Sequence, residues 1–119
     1  METINLKDKF SHFSDYWNPR VIGELNDCHI KAVKLKGEFV WHQHDNEDEL
    51  FFITQGTLRM KFRDREALVR EGEFIIVPRG TEHRPTADEE VHLLLMEPKS
   101  TLNTGNITNE RTVTQLERI

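Results

Sequence analysis

Between Val21 and Met96, turn signals cut the chain into about nine short stretches of strand character, spaced roughly 8–12 residues apart. A chain cut this often cannot build long helices, and the pattern predicts an all-β sandwich or barrel. Val21–Leu25 leads through Asn26-Asp27 into Cys28–Lys36, a hairpin. Gly37-Glu38 reads as the next turn, Phe39–His44 as the next strand and Asp45–Asp48 as an acidic loop. The stretch Glu49–Thr54 is apolar on both faces, which places it between two layers. Leu58, Met60 and Phe62 alternate with Arg59, Lys61 and Arg63, giving one buried face and one wet, basic face. Ala67–Arg70 is a short strand. Phe74–Val77 is a buried strand stopped by Pro78-Arg79-Gly80, and Val91–Met96 is another, after the acidic turn Asp88-Glu89-Glu90.

The flanks read differently. Leu6, Phe10, Phe13 and Trp17 recur at helical steps, with Asn5 or Thr3 as cap, and Asn18-Pro19 ends the helix. Residues 1–20 are therefore expected to be a packing segment, 21–98 the barrel and 99–119 a loop or arm. Val113–Ile119 fits either a last edge strand or an arm on a partner subunit.

A chain of 119 residues supports one core. Its formal charge of −5 argues against an electrostatic grip on nucleic acid or on an anionic membrane. No apolar run approaches the length of a membrane helix. The N-terminus lacks a signal pattern, and the lone Cys28 reads as a small half-buried apolar residue, so the expected location is the cytoplasm.

His42-Gln43-His44 carries the first chemical signal. Two histidines at i and i+2 share a face only on extended backbone, where side chains alternate. A strand presenting two imidazoles is half of a metal site. A carboxylate a few residues on adds a third ligand, with Glu49 the candidate and Asp45, Glu47 and Asp48 its rivals. Further along, Pro78-x-Gly80 forms a tight turn, which in a closed barrel could bring His83 beside the first pair. Of the remaining histidines, His12 and His29 read as surface residues and His92 as part of the barrel wall.

Gly37, His42, His44, Glu49 and Gly56, followed by Gly72, Pro78, Gly80 and His83, resemble the two motifs of the cupins. Two departures stand out. The first glycine-to-histidine spacer has four residues where five are usual, and Ala87 replaces a frequent asparagine. The resemblance implies the cupin fold, a double-stranded β-helix or jelly-roll barrel, and one divalent metal held by His42, His44, Glu49 and His83. Three imidazoles and a carboxylate suit iron, manganese, nickel, copper or zinc and exclude an all-oxygen calcium cage. Without a second cysteine, a closed structural zinc site is disfavoured.

Strand parity places Val40 with the histidines, and Phe51 and Ile53 with Glu49. Met60 and Phe62 share the buried face of their strand, so these five are the candidate pocket lining. An apolar pocket around a metal favours a small organic ligand with a chelating head. The family resemblance implies most often a dioxygenase-like enzyme. A non-catalytic ligand- or metal-binding cupin, or an isomerase or lyase of the sugar-phosphate-isomerase type, remains the alternative. The doubly apolar strand 49–54 also predicts a homodimer buried along its sheet.

Overall fold

The computed structural model describes all 119 residues. Its spine is one long strand. The elements run α1 (Leu6–Phe10), β1 (Arg20–Leu25), β2 (Cys28–Glu38), β3 (Glu49–Gln55), β4 (Thr57–Phe62), β5 (Glu66–Arg70), β6 (Phe74–Val77), β7 (His83–Pro98) and β8 (Glu117–Arg118). β7 spans 16 residues and pairs antiparallel with three partners. β2 lies along it from Cys28↔Pro98 to Glu38↔Thr86. On the other edge, β4 takes its first residues and β3 its last. The full order β5-β4-β7-β2-β1-β8, with β6 joined through β3, is a rolled all-β sheet.

The expected acidic turn at Asp88–Glu90 is therefore absent. These residues continue β7, where their charges find partners: Asp88 on Arg59 of β4, and Glu90 on Tyr16 and on His92 of β7 itself. Gly37-Glu38 is likewise not a turn. It continues β2 past a register shift between Leu35 and Gly37, where Gly37 takes φ +87°. The basic row on β4 is ion-paired rather than simply solvated. Arg59 meets Asp88, Lys61 meets Glu38, and Arg63 meets Glu82 while stacking on Trp41.

Alternation sends Val33 and Leu35 of β2, Phe51 and Ile53 of β3, Leu58 and Met60 of β4, and Val91, Leu93 and Leu95 of β7 inward as the main core. A second cluster lies outside the sheet, where Phe10 and Phe13 cover Ile22 and Ala32. Asn5 caps α1, its Oδ1 accepting from Asp8 N at 2.9 Å. The helical stripe does not reach Trp17. The helix stops at Phe10, and Trp17, at φ +62°, turns into the main core and stacks on Phe39. β8 supplies the edge-strand alternative for the tail, pairing parallel with β1 of the same chain.

Candidate metal centre

Phe39–His44 is not a strand. It makes a single antiparallel bridge, His42 with His83, in which each backbone N–H donates to the other's carbonyl at 3.1 and 2.9 Å. At the start of the segment, Phe39 is held by β7, its N–H donating to Pro85 O at 3.0 Å and its carbonyl accepting from Arg84 Nε at 2.8 Å. Gly80 N donates to His44 O at 2.7 Å, so the Pro-x-Gly turn is tied to the second histidine as well as delivering the third. Gly80 takes φ +78°, which favours glycine, although no atom crowds its missing side chain. Asp48 fastens the same turn by accepting from Arg79 N at 2.8 Å.

These contacts settle the place of the acidic rivals. Asp48 holds the turn, Asp45 accepts from Gln43 Nε2, and Glu47 accepts from Ser100. Glu49 alone turns inward. His42, His44, Glu49 and His83 are all buried, and their candidate ligand atoms lie within 4.8 Å of one another.

The protonation pattern fits a cation. Nδ1 of His42 lies 2.9 Å from Val40 O, and Nδ1 of His83 lies 2.8 Å from Thr81 O. A carbonyl only accepts, so both Nδ1 atoms carry hydrogen, which leaves Nε2 of each ring as the atom that can serve as a metal ligand. Burial, and then the neighbouring His83, push the His42 pKa down to about 4, which keeps the ring neutral. Nε2 of His44 and of His83 lie 2.8 and 3.2 Å from Glu49 Oε1. Neither contact has hydrogen-bond geometry, and all three atoms are buried without a hydrogen-bond partner. Three orphaned buried polar atoms converging on one point would be costly alone, whereas a shared divalent ion would satisfy them together. The four residues fit a metal.

Sequence reading missed a second polar layer. Leu50↔Met96 pairing places Glu49 beside Glu97, and Glu97 in turn faces His29 on β2. Lys31 Nζ donates to Glu97 Oε1 at 2.7 Å, with both side chains about 1% exposed. His29 is buried as well, rather than on the surface, because it points inward with Lys31. Burial alone would raise the Glu49 pKa, but contacts with Glu97, His44 and His83 hold it well below the usual carboxylate range. Glu97 goes the other way, raised well above that range by burial and by the Glu49 charge. One signal was available. Glu97 shares parity with Val91, Leu93 and Leu95, and a carboxylate ending such a series is out of place.

Beside the centre is a small cavity, with about 40 Å³ open to the centres of water-sized molecules. His42, Glu49 and Glu97 form its polar side, Trp17, Phe39 and Phe51 its aromatic side, and Asn103 reaches it from the tail. Of the five expected lining residues, only Phe51 borders this cavity. Ile53 and Met60 are fully buried in the core, and Val40 and Phe62 pack against it half-buried. His92 lies on the outer side, stacked on Phe10.

Comparison with known proteins agrees with this geometry. The family model described as "Cupin domain" matches residues 31–97. A crystal structure of a cupin-2 domain containing protein from Shewanella frigidimarina shares 47% identity with a TM-score of 0.81, covering 82% of this chain and 95% of that one. The uncharacterized protein YdbB of Bacillus subtilis is 35% identical over 80 residues, 66% of this chain and 65% of that protein. A 3-hydroxyanthranilate 3,4-dioxygenase 2 of Aspergillus fumigatus is 30% identical over 80 residues, 62% of this chain but 42% of that enzyme. The match thus spans less than two thirds of either curated relative.

Proposed function

Because this chain belongs to the cupin domain family, we propose that it is a metal-dependent enzyme acting on a small organic molecule, with dioxygenase-like chemistry. The observation that carries the reading is the convergence of His42, His44, Glu49 and His83 with three unpartnered polar atoms, beside a cavity of their own. The distant Aspergillus relative supports the oxygenase class. A bound iron, manganese, nickel, copper or zinc ion would supply Lewis acidity, and a redox-active one would also supply electron transfer.

The chain's own residues prepare the site. Val40 O and Thr81 O fix the tautomers of His42 and His83. Trp17, Phe39 and Phe51 give the cavity an aromatic wall that favours an apolar ligand body. A second reading, a non-catalytic binding cupin, is favoured by one observation: every polar side chain at the cavity is already a metal-ligand candidate or a partner in another contact, so none stands free as a general base.

The test is elemental analysis of protein purified without chelator or nickel resin, repeated on His44→Ala. A stoichiometric redox metal, lost in the variant, followed by oxygen uptake with catechols or diketones, is the expected result. Full occupancy in His42→Ala, His44→Ala and His83→Ala alike would overturn the site. Metal without turnover would favour the binding module.

The same reading includes a homodimer and a cytoplasmic location. No helix is long and apolar enough to cross a membrane. For the dimer, the support is the outer sheet face, where Ile76, Leu50 and Met96 form one cross-strand row and Phe74, Phe52 and Leu94 another.

A further inference from the structure

Three residues of the cavity wall, Trp17, Pro19 and Asn103, lie outside the family-matched residues 31–97. Asn103 belongs to a strap that follows β7 and returns to the metal centre. The strap is well fastened. Asn106 N donates to Gln43 O, and Gln43 N donates to Asn106 Oδ1, both at 3.0 Å, gripping the residue between the two histidines. Gly105 is pressed so close that a Cβ there would lie 2.2 Å from Gln43 O and 3.2 Å from His42 Cδ2. Asn103 closes the strap on itself, donating to Arg111 O at 2.7 Å and accepting from Val113 N at 2.8 Å. Thr104 beneath it is fully buried.

This frame fixes where Arg111 goes. Its guanidinium stands 5.6 Å from the Trp17 ring centre and 5.9 Å from that of Phe39, outside the cavity wall but against the two stacked rings of its aromatic side. Arg59, Arg63, Arg79 and Arg84 each meet a carboxylate, whereas half-buried Arg111 is in no ion pair. The charge inside points the same way. Lys31 places a buried amino group 2.7 Å from Glu97, and a divalent ion would outweigh the charge of Glu49, so the interior would be positive before Arg111 is counted. A low-dielectric cavity with surplus positive charge selects an anion.

We propose that Arg111, presented by the 103–113 strap, is the anion-binding residue of this cavity, and that its ligand is a small organic acid whose carboxylate meets Arg111 while its other end faces His42 and Glu49. The proposal rests on the metal-cavity reading above and narrows it. Arg111 suits the role because its planar fork matches a carboxylate and stacks on aromatic faces at the same time. The strap makes the acid preference a property of this chain's tail, not of the family-matched barrel.

Calorimetric titration of the metal-replete protein with pyruvate, 2-hydroxyisobutyrate and salicylate, each against its neutral amide, tests this. The acids should bind more tightly than their amides. Arg111→Met should weaken acid binding about 10–100-fold, leaving amide binding and metal content unchanged. Should the methionine variant lose metal or melt early, Arg111→Lys decides. Reduced acid affinity at full metal content supports the proposal, and wild-type affinity overturns it. Equal binding of acid and amide, or no acid binding at millimolar concentration, also overturns it and leaves Arg111 as a cover for the two rings. Metal analysis on the same samples keeps the two readings apart. A metal-free wild type sinks the metalloenzyme, while the Arg111 dependence of acid binding still decides this proposal.

Discussion

The two faces of β3 and β7 carry opposite residues from those a simple barrel would use. Inward, at one end, stand Glu49, Glu97 and, from β2, Lys31. Outward, on the same strands and on β6, stand Leu50, Phe52, Met96, Phe74 and Ile76, the last two 59% and 53% exposed. Each choice costs stability or solubility in the isolated chain. Burying Ile53 or Leu93 fully contributes about 1.5–3 kcal/mol each, whereas a buried ion is penalised by several kcal/mol before its partner is counted. The charged interior is the end proposed to hold a metal, and the apolar exterior is the face proposed to meet a second copy. The far end of the barrel, filled by Leu58, Met60 and Val91, shows that the fold does not itself require the polar layer.

The largest effect should come from breaking that layer by halves. Glu97→Ala leaves Lys31 buried without its carboxylate and should cost about 3–5 kcal/mol, read from urea unfolding of the metal-free protein. Lys31→Met combined with Glu97→Leu removes both charges and should be neutral or stabilising. If the single and double variants lose equally, the pair is ordinary packing and the contrast between the two ends of the barrel disappears.

Next in size is the metal. With free metal at 100 times its dissociation constant, wild type should gain about 2.7 kcal/mol of stability. His44→Ala should gain almost none. A melting series across metal concentrations measures both. An equal metal-dependent gain in the variant would show that the ion binds elsewhere.

How much of this was legible in the sequence follows from the range of each constraint. His42, His44, Glu49 and His83 were identifiable because local chemistry orients them. Both His42 and His83 donate Nδ1 to the carbonyl two residues earlier, a contact inside one turn. The same pattern predicts a strand that the structure does not form, since i and i+2 parity holds for extended backbone whether or not it is paired. Lys31 and Glu97 escaped notice because Lys31 is acceptable inside only when Glu97, 66 positions away, is known to face it. For a related reason the sequence pattern starts its strand only at Val91, whereas β7 extends well before it. Asp88 and Glu90 resemble a turn until Arg59, Tyr16 and His92 are placed beside them. The strap was equally opaque, since nothing local to Gly105 announces that Gln43 lies against it.

A smaller effect separates the covered from the uncovered part of the outer face. Asn5 caps the helix whose Phe10 shields Ala32 and Ile22. Asn5→Ala should cost about 1 kcal/mol by thermal unfolding, without touching metal occupancy. A loss of metal in that variant would couple the outer layer to the site and blur the distinction between them.

The smallest change in stability should accompany the clearest change in assembly. Phe74→Glu and Ile76→Lys alter side chains already more than half exposed, so each monomer should stay within about 0.5 kcal/mol of wild type. If the rows from Ile76 to Met96 and from Phe74 to Leu94 are buried against a second copy, a charge in each row removes that contact twice, because a two-fold interface repeats every substitution. Light scattering should then show a wild-type dimer and a variant monomer, both folded and both holding metal, since β6 presents Phe74 and Ile76 on the side opposite Glu49. A wild type that is already monomeric at micromolar concentration would leave this apolar face uncovered and remove the partner half of the comparison. A dimer that survives both charges would place the contact on another surface.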